Sequence, residues 1–397
     1  MTKIVQILLD LIATKKTELD DWFDRQYLST PSCFYSSVDV RDSGYKIAPV
    51  DTNLFPAGFN NLTNAGIDRA IAQAKTYFTH YYPACKKIIL IPENHSRNSF
   101  YFANVAALKS ILKQADQDVE IALIVKDASL LEEIKTNAAT LSVQQALRSD
   151  NKIITTGFIP DLILLNTDLT SGIPEELASI SQPVIPNPNL GWHQRTKSKH
   201  FTAYDQVIDD FCQRFGLDKF LLSTTHYCCG KIDFKEQKGV ECVALAVDKA
   251  IYHLQKKYQE YGITDQPYVY IKAERGTYGM GIMTATSSED VFAINKKIRN
   301  KMDVIKEGMI NSEVIIQEGV RSINKIDTHA AEPLVYLLNG EVIDCFFRSN
   351  PSKDDLGNLN SKGAIITSNT ASFGENSEQI PAYNLVAKLA SLAAARE

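Results

Sequence analysis

The sequence predicts an α/β protein with an N-terminal open, mostly parallel α/β sheet domain at 1–200, followed by an α+β domain at 201–397. In the first half, short apolar strands alternate with helical patterns, which is typical of a parallel sheet. Longer helical patterns begin near residue 203. A glycine-rich turn and an Asn-Gly turn follow, each between apolar runs, and they predict antiparallel hairpins.

The parallel sheet is predicted from four apolar runs at 87–91, 119–125, 161–165 and 184–185. Helical periodicity predicts helices at 1–24, 67–80, 102–114 and 130–135. Ligands of such sheets bind beyond the carboxyl ends of the strands. The polar loops that follow the strands, at 92–101, 166–168 and 187–200, are therefore candidate binding loops.

The second half is predicted to hold helices at 204–215, 242–258, 288–309 and 382–397, and a strand at 313–317. Alternating apolar runs at 332–338 and 341–348 flank Asn339-Gly340. Because Asn-Gly readily forms the tight turn of a two-residue loop, this stretch predicts a hairpin.

The composition, 44% hydrophobic and 22% charged over 397 residues, is that of a globular protein. A net charge of -5 argues against nucleic acid or an anionic membrane as partner. The seven cysteines form no CxxC pair, so neither a zinc ribbon nor a disulfide framework is expected. No apolar run reaches the roughly 18 residues of a membrane span, and the N-terminus lacks a signal-peptide pattern. We expect a cytoplasmic protein, and the sequence leaves open whether it forms a homo-oligomer.

The stretch 269–284, VYIKAERGTYGMGIMT, predicts a strand, a flexible loop and a second strand. Glycines let the backbone approach a polyphosphate, and a lysine at the strand end supplies a charge for phosphate oxygens. The lysine precedes the glycines, so this is not a P-loop. A hairpin without ligand is the alternative. The candidate phosphate-binding residues are Lys272, Gly276, Tyr278, Gly279 and Gly281.

Two downstream elements fit a nucleotide site. The apolar strand at 313–317 runs into Gln317, Glu318, Gly319 and Val320, whose backbone could read adenine while Glu318 meets the ribose. A later strand ends in Arg348, which suits bidentate contact with a transferring phosphoryl group. A polar strand end and a surface ion pair are the respective alternatives.

A metal site is predicted at Asn358 and Asn360, which would lie on one face of an extended segment and reach one hard cation. Glu332 or Asp344 could add the carboxylate that Mg²⁺ needs. Asparagines in a polar turn are the alternative. The order of these elements along the chain favours the functional interpretation.

Four stretches carry a family resemblance: APVDTNLFPAGFNNL (48–62), IPENHSRNSFYFANV (91–105), IKAERGTYGMGIM (271–283) and FFRSNPSKDDLGNLNSKGA (346–364). Over nearly its whole length the chain resembles the proteobacterial type of glutamate–cysteine ligase, an ATP-grasp enzyme of glutathione biosynthesis. The resemblance implies that the second domain is an ATP-grasp domain and that the cofactors are ATP and Mg²⁺.

The implied reaction is phosphorylation of the γ-carboxylate of L-glutamate by ATP, followed by displacement of phosphate by the amino group of L-cysteine. Lys272, Arg348 and Mg²⁺ would position the groups and neutralise charge. A second phosphate lysine is expected earlier, with Lys219 the first candidate and Lys231 the alternative. The Asn-x-Asn metal pair departs from the acidic-x-Asn pair of many ATP-grasp ligases.

Substrate binding would fall to the N-terminal loops. Candidates for α-carboxylates are Arg41, Lys46, Arg97 and Arg195. Candidates for ammonium groups and amides are Asp51, Asn53, Asn60, Asn61, Glu93 and Asn98. Phe55, Phe59 and Tyr101 could shape the pocket for cysteine, or pack between domains.

Other functions are compatible with these elements. Another carboxylate–amine ligase, such as a glutathione synthetase, would share the architecture and differ only in the N-terminal pocket. A nucleotide-binding regulator without catalysis would be expected to lack Arg348 or the metal ligands. A dehydrogenase is disfavoured because no glycine fingerprint follows an N-terminal strand.

Overall fold

The computed structural model describes residues 2–94, 99–125, 134–135, 140–275, 281–303, 311–368 and 370–397. The helices are α1 (Lys3–Thr14), α2 (Lys16–Ser29), α3 (Asn64–Tyr81), α4 (Ser99–Gln114), α5 (Lys197–Phe215), α6 (Val240–Tyr261), α7 (Ser288–Phe292), α8 (Lys296–Asp303) and α9 (Ile380–Ala395). Strands β1 to β11 are Tyr35–Asp42, Ile47–Asn53, Lys87–Pro92, Asp118–Leu123, Ile134–Lys135, Thr140–Leu141, Val143–Gln145, Leu147–Ser149, Lys152–Ile154, Leu162–Asn166 and Val184–Ile185. Strands β12 to β19 are His226–Gly230, Val269–Ala273, Ile282–Ala285, Glu313–Glu318, Lys325–Ile326, His329–Leu338, Glu341–Ser349 and Ile365–Thr367.

The predicted parallel sheet is confirmed, with strand order β11-β10-β3-β4-β7. Its central strands are buried apolar runs, and α3 and α4 cover one face with residues such as Phe78 and Phe102. Because all these strands run in one direction, β3 and β10 end side by side, with Pro92 opposite Asn166. The loops after both strands therefore start from one edge of the sheet.

A second, antiparallel sheet has the order β19-β18-β17-β1-β2, with β16 also paired to β17. It joins strands from both sides of residue 200, because β1 lies between β2 and β17. The predicted hairpin is confirmed at β17 and β18: Asn339 (φ 56°) and Gly340 (φ 75°) both adopt the left-handed conformation that its tight turn requires. Valines of one face pack against the buried helix α9, which leaves the other face polar around Asp39.

A third sheet, also antiparallel, has the order β12-β15-β13-β14. Helix α6 covers it through an apolar cluster that includes Val243, Val247, Ile271 and Ile316. The predicted strand pair around Lys272 is confirmed, since β13 and β14 pair with Lys272 opposite Ile282. The described part of the chain is thus a mixed α/β fold of one parallel and two larger antiparallel sheets, and none of its helices is long and apolar enough to cross a membrane.

Four local predictions are wrong. The N-terminal helix is two helices, because Lys15 (φ -124°, ψ 28°) leaves the helical conformation. The helix at 288–309 is broken between α7 and α8, and residues 304–309 lie outside the described ranges. Ile134 and Lys135 pair with β6 as a strand, while the rest of the predicted helix at 130–135 is not described. Residues 356–361 form turns and bends instead of an extended segment.

Candidate active site

A cavity of about 620 Å³ lies where the parallel sheet ends against the polar face of the β1–β2–β17–β18 sheet. Nine predicted site residues line it: Asp51, Asn53, Phe55, Asn60, Asn61, Glu93, Tyr101, Arg348 and Asn360. Asn166, Asp168 and Trp192 of the predicted binding loops at 166–168 and 187–200 also line it, together with Asp39 and Asn104, which the sequence did not indicate. The fold thus brings the N-terminal binding loops, the predicted phosphoryl arginine and one predicted metal ligand to one place.

Two buried asparagines hold the loop at 54–61 over the edge of the parallel sheet. The Oδ1 atom of Asn104 accepts the backbone N–H groups of Gly58 (2.9 Å) and Phe59 (3.0 Å). Asn166 donates from Nδ2 to the carbonyl of Pro56 at 2.9 Å, and its Oδ1 accepts from Asn104 at 3.0 Å. Gly58 has φ 106°, which an L side chain rarely adopts. The loop that carries Asn60 and Asn61 is therefore fixed by tertiary contacts.

Tyr101 joins the ends of the two neighbouring parallel strands. Its hydroxyl donates to the carbonyl of Asn166 (2.6 Å) and accepts the N–H of Glu93 (2.8 Å). The Glu93 carboxylate in turn accepts the N–H of Asp168 at 3.1 Å. Glu93 and Asp168 are both buried, and both line the cavity.

Arg348 is anchored through one of its nitrogens. Its Nη1 atom donates to Asp39 Oδ2 at 2.7 Å and to Glu332 Oε1 at 3.1 Å. The remaining Nη2 and Nε atoms make no hydrogen bond to the described residues, and the side chain lines the cavity. Burial lowers the pKa of Arg348, but the carboxylates of Asp39 and Glu332 outweigh it and raise the pKa. A charged guanidinium edge thus faces the cavity.

Arg41 links the two antiparallel sheets. Its Nε atom donates to Glu332 Oε2 at 2.7 Å. Each oxygen of this carboxylate therefore accepts a hydrogen bond from an arginine, Oε2 from Arg41 and Oε1 from Arg348. Its Nη1 atom donates to the hydroxyl of Tyr270 and the carbonyl of Val320, each at 3.1 Å, and its Nη2 atom to the carbonyl of Gly357 at 2.6 Å. The predicted contact of Arg41 with a substrate carboxylate stays a prediction. In this structure Arg41 Nε, Nη1 and Nη2 each donate to a protein group.

Lys272 lies at the boundary between these sheets. Its Nζ atom donates to Gln317 Oε1 (2.8 Å) and to the carbonyl of Val50 (3.1 Å), next to Asp51. Burial lowers the pKa of Lys272 to about 8, although Asp51 raises it. Burial also raises the pKa of Asp51, but Lys197 and Lys272 hold it below its usual value. The Lys197 ammonium lies over the Trp192 ring at 4.1 Å.

The predicted adenine edge is buried and internally bonded. Glu318 forms a 2.5 Å ion pair with Lys46, another predicted carboxylate ligand, and its second oxygen accepts the N–H of Thr225 at 3.0 Å. Gln317 donates from Nε2 to Thr224 Oγ1 at 3.0 Å. The carbonyl of Val320 accepts a hydrogen bond from Arg41. The nucleotide-binding roles of Gln317, Glu318 and Val320 stay predictions.

The predicted metal residues are separated. Asn358 Oδ1 accepts the N–H of Asn360 at 3.1 Å and closes a turn, which explains why the segment is not extended. Asp344 Oδ2 accepts the N–H and the hydroxyl of Thr63, both at 2.8 Å, at the start of α3. Within the described ranges no group of three or more His, Cys, Asp or Glu side chains could hold a metal. Of the four candidates, Asn360 is the one among the cavity's lining residues.

Other predicted residues lie elsewhere. Lys219 pairs with Asp209 (3.0 Å) and Asp205 (3.5 Å) on α5. Arg195 forms a bidentate pair with Glu397 (2.7 and 2.9 Å) and donates to the carbonyl of Thr52 at 2.6 Å. The carbonyl of Gly281 accepts the N–H of Ala273 at 3.0 Å. The candidates Arg97, Asn98, Gly276, Tyr278 and Gly279 lie outside the described residues.

The residues that sequence reasoning missed left weak signals. Ser37 and Asp39 alternate with Val38 and Val40 along β1, a pattern that indicates a strand with one polar face. Nothing local indicated that this face lines a cavity.

Comparisons with known proteins agree with the sequence resemblance. Residues 10–397 match the family described as GshA: Glutamate-cysteine ligase. A crystal structure from Methylobacillus flagellatus KT, of a protein provisionally described as gamma-glutamylcysteine synthetase, superposes with a TM-score of 0.91 at 36% identity, covering 100% of this chain and 97% of that one. No curated protein sequence matches.

Two more distant structures have low scores. A glutathione synthetase-like effector from Globodera pallida has a TM-score of 0.41 at 11% identity over 92% of this chain and 84% of its own. D-alanyl-alanine synthetase A from Vibrio cholerae has a TM-score of 0.34 at 11% identity, over 75% and 79% respectively. These two similarities are too weak to support a conclusion. The family match and the similar crystal structure both span nearly the whole chain, and the chain therefore belongs to the GshA family of glutamate–cysteine ligases.

Proposed function

We propose that the described cavity joins L-glutamate to L-cysteine through a γ-glutamyl phosphate. As a member of the GshA family the chain is a glutamate–cysteine ligase of glutathione biosynthesis, and ligases of this family use ATP. The observation that carries the assignment to this cavity is Arg348: its unbonded guanidinium edge faces the same space as the loops at the carboxyl edge of the parallel sheet.

The chemistry needs positioning and charge neutralisation more than a protein nucleophile. A carboxylate oxygen of glutamate attacks the γ-phosphorus of ATP, and ADP leaves. The amine of cysteine then attacks the carbonyl carbon, phosphate leaves and a proton is released. Arg348 would bind the transferring phosphoryl group by two N–H groups, and Lys272 would neutralise phosphate charge from the neighbouring sheet.

The lining side chains suit two amino acids. Asp51 and Glu93 are carboxylates at the wall and would receive ammonium groups. Asn53, Asn60 and Asn61 offer amide donors and acceptors for carboxylates and amides. Phe55 and Tyr101 provide apolar surface for the side chain of cysteine.

ATP would lie between the two antiparallel sheets, as in an ATP-grasp domain formed largely by residues 201–397. Three features support this placement: Lys272 lies near the end of β13 at the sheet boundary, Gln317 accepts a hydrogen bond from it, and Arg41 connects both sheets through Tyr270 and Val320. The adenine edge at Gln317, Glu318 and Val320 and the phosphate role of Lys219 belong to the same proposal.

Mg²⁺ is the proposed second cofactor. Asn360 fits as a ligand because its amide oxygen is a hard donor at the cavity, and Mg²⁺ in such sites takes few protein ligands besides the phosphates. Glu332, Asp344 and Asn358 each have another partner here and would have to exchange it. Bound Mg²⁺ would neutralise charge on the phosphates.

The test is ADP release by the purified protein with ATP, Mg²⁺ and L-glutamate, with and without L-cysteine. Cysteine-dependent ADP formation, with γ-glutamylcysteine identified by mass, is the expected result. Turnover of γ-glutamylcysteine with glycine instead would identify a glutathione synthetase. ATP binding without ADP formation from any amino-acid pair would favour a regulator.

A further inference from the structure

Asp39 occupies a central position on the polar face of the antiparallel sheet. It lies on β1 directly opposite Asp51 of β2 and Leu334 of β17, and it lines the cavity. Its Oδ2 atom accepts from Arg348 Nη1 at 2.7 Å, and no other hydrogen bond to Asp39 is found among the described residues. Asp39 is therefore dedicated to this one arginine.

The second acceptor of the same nitrogen is shared. Glu332 accepts from Arg348 Nη1 at 3.1 Å and from Arg41 Nε at 2.7 Å. Two carboxylates from strands β1 and β17 thus hold one terminal nitrogen of Arg348. A planar guanidinium fixed at one nitrogen keeps its other N–H groups in a defined direction, which bidentate recognition of an anion requires.

We propose that Asp39 is a positioning residue of the ligase, which holds Arg348 by Nη1 so that Nη2 and Nε remain directed at the transferring group. The inference rests on the proposed role of Arg348 in the reaction. It predicts that Asp39 contributes to turnover through Arg348 and through no other contact.

Asp39 lies among charged groups of both signs. The groups that face Asp39 are Arg348 on β18, Glu332 and Tyr336 on β17, and Asp51 on β2. Burial raises the pKa of Asp39 to about 6, and Glu332 and Asp51 add to this while Arg348 opposes it. The ion pair with Arg348 is the favourable interaction of Asp39 in this cluster.

A double-mutant cycle tests the inference. We expect Asp39→Asn to lower kcat by about 10- to 100-fold and Arg348→Ala by more. If Asp39 acts through Arg348, adding Asp39→Asn to Arg348→Ala should cost less than about twofold further. Multiplied losses in the double variant would overturn the proposal.

Asp42→Asn is the matched control. Asp42 lies on the same strand and is also buried, but it accepts from the N–H of Gly44 (2.7 Å) and the hydroxyl of Tyr383 (3.0 Å), away from the cavity. Because Asp42 does not contact Arg348, the loss of kcat in Asp42→Asn combined with Arg348→Ala should equal the product of the two single losses. Asp39→Ser is the second variant if Asp39→Asn melts below the assay temperature, and unfolding of both would show that Asp39 acts on stability, against the proposal.

The wild-type reaction separates the two levels of inference. Absence of γ-glutamylcysteine from the wild-type protein would reject the proposed function and the role of Asp39 with it. Product from the wild type, loss in Arg348→Ala and full activity in Asp39→Asn would reject the role of Asp39 alone.

Discussion

Replacing Lys272 by methionine should change stability and activity in opposite directions. Burial lowers the pKa of Lys272 from 10.5 to about 8, a difference of 10.5 − 8 = 2.5. This corresponds to a cost of ~3 kcal/mol for keeping the buried lysine charged below pH 8. The unfolded chain binds more protons between the two values, so the stability of the wild type rises with pH across that window.

Lys272→Met removes the cost of the charge together with two hydrogen bonds, to Gln317 and Val50. At ~1 kcal/mol for each bond, the variant should be more stable than the wild type by ~1 kcal/mol at pH 7. Above pH 10.5, where the charge is lost in both states, the variant should be less stable by ~2 kcal/mol. Turnover should fall by about 10²- to 10³-fold, because the charge proposed to neutralise the phosphates is lost.

The assay combines denaturant unfolding at pH 7 and at the alkaline end of the window with ADP release. Lys75→Met is the control, since Lys75 on α3 forms a solvent-exposed ion pair with Asp116, which follows α4. The wild type should also lose kcat/KM for ATP as the pH rises through about 8, whereas Lys272→Arg should not. A variant destabilised equally at both pH values, or one that retains turnover within about threefold, would refute the reasoning.

Three further substitutions test neighbouring assignments. Asn360→Ala should raise the Mg²⁺ concentration needed for half-maximal turnover without changing the melting temperature, because the amide is a proposed ligand. Asp344→Asn should cost ~1 kcal/mol of stability through the weakened cap of α3 and leave the Mg²⁺ titration unchanged. Glu397→Gln should destabilise the protein at pH 7 by up to ~3 kcal/mol, because Arg195 and His200 outweigh burial and lower the pKa of Glu397 from 4.5 to about 2.

Each of these has a contrary outcome. A Mg²⁺ titration that is the same in Asn360→Ala and wild type would remove this residue from the metal site, and a shifted titration in Asp344→Asn would place that carboxylate in it. The stability contributed by Glu397 is present above its unfolded pKa of 4.5 and is lost as the pH falls toward about 2. A difference between Glu397→Gln and wild type that stays constant across this window would contradict the ion-pair account.

Elements with strong local patterns were predicted correctly from the sequence. The apolar runs at 87–91 and 161–165 form adjacent parallel strands, and Asn339-Gly340 forms the predicted tight turn. Two of the four errors arose where one residue decides the backbone. Lys15 breaks the N-terminal helix, and the side chain of Asn358 closes a turn on the N–H of Asn360. Neither effect has a periodic signal.

The candidate site was also predicted only in part. The segment that carries Asn53, Phe55 and Asn60 lines the cavity. It follows β2 of the antiparallel sheet and is held over the parallel sheet by Asn104 and Asn166, which are tertiary contacts. The partners of charged residues could not be predicted. Arg195 bonds Glu397, which lies 202 residues away, and Arg41 bonds Glu332 across 291 residues. A sequence shows that a residue is cationic, but not whether it forms an ion pair with a carboxylate far away in the chain.

The sequence by itself determined the family, most of the strands and helices, and several of the loops from which the cavity is made, since these depend on local periodicity and on contiguous motifs. Tertiary structure alone decided which charges act on the cavity. Strand β1 lies between β2 and β17, which places Asp39 against Arg348 and leaves one guanidinium edge exposed to the cavity. On the opposite face of β1, Val38 and Val40 pack against α9, a contact between distant parts of the chain that no local pattern specifies.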